Sequence, residues 1–320
     1  MKNINVSHSE GIKFLEQIPD NSVDLILTDP PYVTSRDSGM DKWVDHVAKQ
    51  DSDDAQDLRT LADWRQFKTD AEWRSFFQHD KSAYKEGKYI PGYIKKKMKK
   101  YRADFLKYGS IYGKKYAIKT NYGEWDSEFT IEQLQLFIHH FYRVLRDGGS
   151  CIIFFDLWKI TNLKDMLEDA KFKQLRFIEW IKTNPQPINS SRNYLTNCRE
   201  IALTAVKKGS STFNSKYHKG VHREKSEQES DAPVEDGIYE YPIYGGKKGL
   251  DRFHPTQKSL KLFEDLINIH SNEGDLILDC FLGSGTTALA AHNTNRKFIG
   301  CELDEEYYNK TMNRLKERAI

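Results

Sequence analysis

Two short apolar runs, one near each end of the chain, stop at residues that force a turn, and they limit what this sequence can fold into. Val23-Asp24-Leu25-Ile26-Leu27-Thr28 runs into Asp29-Pro30-Pro31-Tyr32, and Asp275-Leu276-Ile277-Leu278-Asp279-Cys280 runs into Phe281-Leu282-Gly283-Ser284-Gly285-Thr286-Thr287. Each reads as a buried parallel strand that opens onto a ligand crevice. Further strands are expected around Ile4-Asn5-Val6 and over 150–155, 177–181 and 297–301. Helical periodicity fills the gaps, over 11–18, 160–170, 259–270, 286–293 and from Glu305 onward. Thr130 is placed to cap another helix, with Leu134, Phe137, Ile138, Phe141 and Leu145 on one face and Asp147-Gly148-Gly149 as its stop. Strands alternating with helices predict an α/β fold, a doubly wound and mostly parallel sheet with helices on both faces.

The formal charge of the 320 residues is only +2, so contact with nucleic acid has to come from local patches. Residues 81–119 form such a patch, with Lys95-Lys96-Lys97 and Lys99-Lys100 among interleaved tyrosines. They read either as a phosphate-contacting surface or as a solvated basic helix face. Cys151, Cys198, Cys280 and Cys301 are widely spaced and form no CxxC pair, which argues for buried reduced thiols and against zinc. His139-His140 lie on an apolar helix that offers no metal geometry, and no metal is expected. With no long apolar stretch and no signal-peptide pattern, no membrane association and a cytoplasmic location are expected.

Three segments carry chemistry. Gly283 and Gly285 bare the backbone before a helix start, which suits a nucleotide-like ligand or, equally, a plain structural turn. Glu302 ends the next strand, where an acid reaches ribose hydroxyls. Pro30 and Pro31 stiffen the strand exit, so the Asp29 carboxylate and the Pro30 carbonyl can both accept from one exocyclic amine while Tyr32 stacks on its ring. His254-Pro255-Thr256-Gln257-Lys258-Ser259 opens an amphipathic helix and suits an amino acid carboxylate, or only caps the helix.

These segments resemble the DNA amino-methyltransferases of the β group, with the match covering the first 32 residues, 122–208 and 253 to the end. Asp29-Pro30-Pro31-Tyr32 looks like the catalytic motif, and its position before the glycine loop is the permuted order of that group. Trp180-Ile181-Lys182-Thr183-Asn184-Pro185, Arg143-Val144-Leu145 and Trp125-Asp126 also look like family segments. The resemblance implies a circularly permuted Rossmann-like methyltransferase fold and S-adenosylmethionine as cofactor. It implies contacts to that cofactor from Glu10, Asp29, His254, Thr256, Gln257, Lys258, Ser259, Asp279, Phe281, Gly283, Ser284, Gly285, Thr286, Thr287 and Glu302. Glu10 departs from the pattern, in which Gly-Asp commonly precedes the first helix, and Cys280 and Ser259 stand where proline is frequent.

The organisation so implied is a catalytic domain over 1–33, 125–182 and 253–320, a basic and aromatic insertion over 34–124, and a target recognition region over 183–252. Arg192, Asn193, Arg199, Lys207, Lys208, His222 and Arg223 in or near that region are polar enough to read base edges, and a structural ion pair is expected of Glu200. The resemblance implies methylation of adenine N6 in a flipped-out nucleotide of double-stranded DNA. It allows a homodimer and a cognate restriction endonuclease as partners. Two other readings stay open: a cytosine-N4 or RNA methyltransferase, and a DNA-binding protein that holds the cofactor without turnover.

Overall fold

The computed structural model describes residues 3–32, 39–52, 55–67, 84–85, 88–89, 91–111, 113–116, 129–183, 198–217, 238–241, 253–254 and 256–318. The chain forms two compact units, Met1–Thr34 with Tyr122–Ile320, and Ser35–Asn121. The first unit begins with β1 (Ile4–His8), α1 (Gly11–Glu16) and β2 (Val23–Thr28). The second holds α2 (Gly39–Gln50), α3 (Leu61–Phe67), β3 (Tyr84–Lys85), β4 (Lys88–Tyr89) and α4 (Pro91–Tyr108). The first resumes with α5 (Ile131–Val144), β5 (Leu145–Phe155), α6 (Ile160–Asp169), β6 (Lys173–Lys182), β7 (Arg199–Val206) and β8 (Ile238–Tyr241). It closes with α7 (Leu260–His270), β9 (Leu276–Asp279), α8 (Thr286–Asn293), β10 (Lys297–Glu302) and α9 (Glu305–Arg318). Among the described residues no helix is long and apolar enough to cross a membrane.

One eight-stranded sheet runs β1-β10-β9-β2-β5-β7-β6-β8. The strands from β1 to β5 are parallel, β7 is antiparallel to β5 and β6, and β8 is parallel to β6. Alternation along each strand feeds two cores. Ile26, Cys151, Ile153 and Phe155 face the helices α1, α5 and α6, whereas Leu25, Leu27, Ile152 and Phe154 face α7 and α8. Each fully buried aliphatic or aromatic side chain contributes roughly 1.5–3 kcal/mol. The pairing of β2 with β9, Leu25 to Ile277 and Ile26 to Leu278, sets the ends of the two apolar runs side by side.

One expectation is corrected here. The α5 helix starts at its expected cap, where the Thr130 side chain accepts from the Gln133 N–H and Gln133 reaches back to the Thr130 N–H. It stops one residue early, however, because Leu145 is already extended and begins β5. Asp147-Gly148-Gly149 is therefore not a helix stop but an irregularity inside β5, since Val23 pairs Leu145 while Leu25 pairs Ser150. Gly148 adopts φ +76°, and a Cβ there would stand 2.6 Å from the Ser210 carbonyl oxygen, so glycine is required. Strand β7, within 183–252, is threaded between β5 and β6, and its residues from Ile201 onward are buried.

The second unit has a small core of Trp64, Phe105 and Ile111, with Phe67 stacked on Phe105 at 4.8 Å. Asp51 gathers the Tyr108 hydroxyl at 2.6 Å, Lys107 at 2.9 Å and Lys114 at 3.0 Å, and that hydrogen bond and both lysines hold its carboxyl well below the usual range. Two lysines of the basic stretch are thus tied to a carboxylate, while Lys96, Lys99 and Lys100 on α4 are exposed.

Candidate active site

The glycine loop is built from both sides. Gly283 and Gly285 take φ +51° and +75°, the left-handed region that glycine enters without strain. Helix α9 props the loop from behind. The Thr311 hydroxyl donates to the Gly283 carbonyl at 2.7 Å, and the Arg314 guanidinium donates to the Ser284 carbonyl at 2.7 Å. Ser284 and Thr286 bond through their hydroxyls at 3.0 Å. In front, Glu302 accepts from the Gly283 N–H at 2.7 Å and from the Asp304 N–H at 2.9 Å. Burial raises its carboxyl above the ordinary range, against those two donors.

Asp279, Glu10 and Phe281, all expected at the cofactor, have their side chains engaged within the protein. The Asp279 carboxylate accepts from the Thr28 hydroxyl at 2.6 Å, the Thr287 hydroxyl at 2.6 Å and the Phe281 N–H at 3.0 Å, so it shapes the loop. Glu10 caps α1, one oxygen on the Ile12 N–H and the other on the Lys13 N–H. It stands next to the end of β10, because the Ser9 N–H bonds the Glu302 carbonyl there. The Phe281 ring packs 4.6 Å from that of Phe137. His254 lies over the loop. Its Nδ1 meets the Thr256 hydroxyl at 3.1 Å, and a Cβ on Gly283 would come within 3.3 Å of its Nε2. Gln257 is buried and its Oε1 has no partner among the described residues, while Ser259 precedes α7 without a side-chain cap bond. Pro255 lies outside the described residues.

At the end of β2 the chain turns through Asp29 to Tyr32. Lys258, only 7% exposed, places its Nζ 2.5 Å from Oδ2 of Asp29 and 3.0 Å from Oε2 of Glu200. Lys182 in turn pairs with Oε1 of Glu200 at 2.5 Å. Oδ1 of Asp29 and the Tyr32 hydroxyl are buried; neither completes a well-formed hydrogen bond among the described residues, although the hydroxyl lies close enough to the Asp29 carboxylate to help hold its charge. Tyr32 packs edge-on to Phe155 at 6.0 Å, and the Lys258 ammonium sits 5.5 Å from the centre of the Tyr32 ring. Burial pushes the Asp29 carboxyl up to about 6, with Lys258 pulling it down and Glu200 adding to the rise. Burial opposes the charge on Lys258, but the two carboxylates outweigh it and hold the ammonium above its usual range. Lys258 and Lys182 likewise overcome burial and keep Glu200 low.

Lys258 is expected to face a methionine carboxylate, and in this structure its Nζ is the counter-ion of Asp29. Glu200 forms the ion pairs expected of it, but beside the Asp-Pro-Pro-Tyr exit. The one signal that points there is topological, because an antiparallel β7 brings its first residues to the edge where β2 and β5 end. Lys207 turns its side chain into the fold. Its ammonium donates to the Asn21 amide oxygen at 2.7 Å and to the Leu145 carbonyl at 2.8 Å inside the fold. Arg199 pairs with Glu179 at 3.6 Å and Lys208 with Asp147 at 3.9 Å, whereas Arg192, Asn193, His222 and Arg223 lie outside the described residues.

Glycine loop and Asp-Pro-Pro-Tyr exit thus meet at one sheet edge, bridged by the bond from Thr28 to Asp279. Residues 23–313 match the family described as DNA methylase. The chain belongs to that family. This DNA methylase is 33% identical over 204 residues to the Type II methyltransferase M2.DpnII of Streptococcus pneumoniae, a match covering 62% of this chain and 73% of the relative. To the Type II methyltransferase M2.MboI of Moraxella bovis it is 25% identical over 322 residues, covering 99% and 89%. Its fold resembles the M1.HpyAVI–SAM complex (TM-score 0.54, 24% identity, 98% of each chain). It also resembles the cytosine-N4-specific PvuII DNA methyltransferase (TM-score 0.58, 14% identity, 98% of this chain and 86% of that one).

Proposed function

We propose that this DNA methylase transfers a methyl group from S-adenosylmethionine to N6 of an adenine flipped out of duplex DNA, as the modification enzyme of a restriction system. The observation that carries the reading is the unpartnered Oδ1 of Asp29, an acceptor held at the strand end beside the glycine loop. The residues around that loop fit the cofactor. Gln257 offers an unpartnered buried oxygen to a cationic amine, the bare α-carbon of Gly283 leaves room beneath His254, and Glu10 and Glu302 stand at adjacent strand ends where adenosine donors bind. When bound, S-adenosylmethionine supplies a methyl already activated by its positive sulfur.

The protein therefore positions and polarises. Asp29 accepts an N–H of the target amine, with the Pro30 carbonyl as second acceptor. These bonds direct the nitrogen lone pair away from the ring and stabilise the positive charge that builds on nitrogen in the transition state. Tyr32 offers its ring to the flipped base and offsets part of an unstacking cost of about a few kcal/mol. The Asp at the head of the motif favours adenine by resemblance, where serine is more usual for cytosine N4. Cytosine N4 or an RNA amine would fit the same acceptors, and a non-catalytic cofactor holder would not need them. A homodimer and a cognate endonuclease accompany the proposal as partners.

Product identity tests it. Unmethylated plasmid DNA is incubated with methyl-labelled S-adenosylmethionine, digested to nucleosides and analysed by mass spectrometry. Labelled N6-methyladenine, lost in Asp29→Ala, is expected. Labelled N4-methylcytosine overturns the base assignment, and no labelled base despite cofactor binding overturns the catalytic reading.

A further inference from the structure

Four charges alternate in a row across the sheet edge: Lys182 from β6, Glu200 from β7, Lys258 from the segment before α7, and Asp29 after β2. Buried ions are costly unless paired, and each ion here has an opposite neighbour within 3.0 Å. Lys258 is ion-paired with two carboxylates that come from different parts of the sheet edge. Glu200 is in turn anchored by Lys182, so the lysine is steered from behind. Resting on the reading of Asp29 as amine acceptor, we propose that Lys258 and Glu200 are positioning residues for methyl transfer. Held between two carboxylates, the ammonium binds one oxygen of Asp29, fixes the carboxylate's rotation and leaves the other oxygen turned to the incoming amine. Neither residue touches the reacting atoms.

The arrangement also sets the charge of the acceptor. Around Asp29 stand Lys258, Glu200 and Tyr32, with Asp156 beside Tyr32 and Lys182 behind Glu200. Removing the Lys258 charge leaves Asp29 buried next to Glu200 and favours its neutral form, in which a proton is presented where an acceptor is needed. Removing the Glu200 charge takes away a like charge and acts on Asp29 in the opposite sense, while freeing the lysine from its anchor. A purely structural role would not move the two variants in opposite directions.

The test is the single-turnover rate of methyl transfer to unmethylated plasmid DNA, followed with labelled S-adenosylmethionine from about pH 5 to pH 9. Lys258→Met is expected to slow transfer at least about tenfold at neutral pH and to move the acid limb upward, whereas Lys258→Arg keeps the limb in place. Glu200→Gln is expected to slow transfer and move the limb downward, with cofactor affinity by calorimetry unchanged within about twofold. If Lys258→Met fails to fold, the direction of the limb in the isosteric Glu200→Gln decides. The inference is overturned if Asp29→Ala is inactive but these variants keep the wild-type limb. It is equally overturned if Lys258→Met loses only cofactor affinity, which would return that lysine to the methionine carboxylate. Full activity in Asp29→Ala would sink the acceptor reading itself.

Discussion

The Thr28 hydroxyl donates to Oδ1 of Asp279 over 2.6 Å and joins the last residue of β2 to the last residue of β9, 251 positions further along the chain. Asp279 also holds Thr287 and the Phe281 N–H, so one buried carboxylate couples the Asp-Pro-Pro-Tyr exit to the shape of the glycine loop. Thr28→Val keeps the side-chain shape and deletes the donor. It is expected to cost about 1–3 kcal/mol by urea unfolding, because a buried acceptor loses a partner. Cofactor affinity should fall with it. Unchanged stability and unchanged affinity together would show that the strand ends are held by their backbone pairing alone.

A second expectation concerns pH. Burial first, with Glu200 adding and Lys258 opposing, sets the Asp29 carboxyl at about 6. In the proposed role Asp29 accepts as the ionised form, which dominates above that value. The rate should therefore be level above about pH 6 and fall about tenfold per unit below it. Asp29→Asn keeps an acceptor oxygen but loses the charge, so it should remove this limb and leave about 1% or less of the rate. A wild-type profile that is flat down to pH 4, or an Asp29→Asn variant with the limb intact, would assign the titration to another group.

What was legible in the sequence, and what was not, follows from the range of each interaction. The ends of β2 and β9 could be read because an apolar run stopped by Pro-Pro or Gly-x-Gly has few other meanings in an alternating α/β chain. The Thr130 cap was legible because its partner Gln133 is three residues away. The pairing of Lys258 was hidden because its neighbour His254 lies at the glycine loop, whereas its own ammonium reaches across to the end of β2 and to β7. Nothing near Glu200 in the sequence marks it, since its place depends on the direction of β7. Lys207 reads in the sequence as one of several residues polar enough to reach base edges, and only the fold shows the oxygens its ammonium meets. Glu10 and Asp279 illustrate a different limit: an acid at a turn meets local N–H and O–H donors before any ligand does.

The glycine loop gives a third test. Gly285 combines φ +75° with a Cβ position 2.5 Å from Cγ2 of Thr311. Gly285→Ala thus meets both backbone strain and a clash, and it should lose about 1–3 kcal/mol from the backbone term alone. Adding Thr311→Ser removes the clashing methyl while keeping the hydroxyl that binds the Gly283 carbonyl. The double variant should regain part of the stability and of the cofactor affinity. If it recovers nothing, the left-handed backbone is the sole requirement at this position.

Lys207 separates a folding role from a DNA-reading role. Its ammonium donates to the Asn21 side chain and to the Leu145 carbonyl where β5 begins, and it lies 4.9 Å from the centre of the Tyr142 ring. Burial lowers its pKa, which is the direction expected of a lysine held by neutral acceptors. Lys207→Met keeps the packing of the stem and removes the donors, leaving Asn21 Oδ1 and the Leu145 carbonyl without this partner. The cost should be about 1–3 kcal/mol in chemical denaturation. Below the unfolding range, binding to duplex DNA should be unchanged and should keep the wild-type salt dependence, since a lysine that contacts no phosphate releases no counterion. A salt slope reduced by about one, with stability intact, would instead make Lys207 a backbone contact.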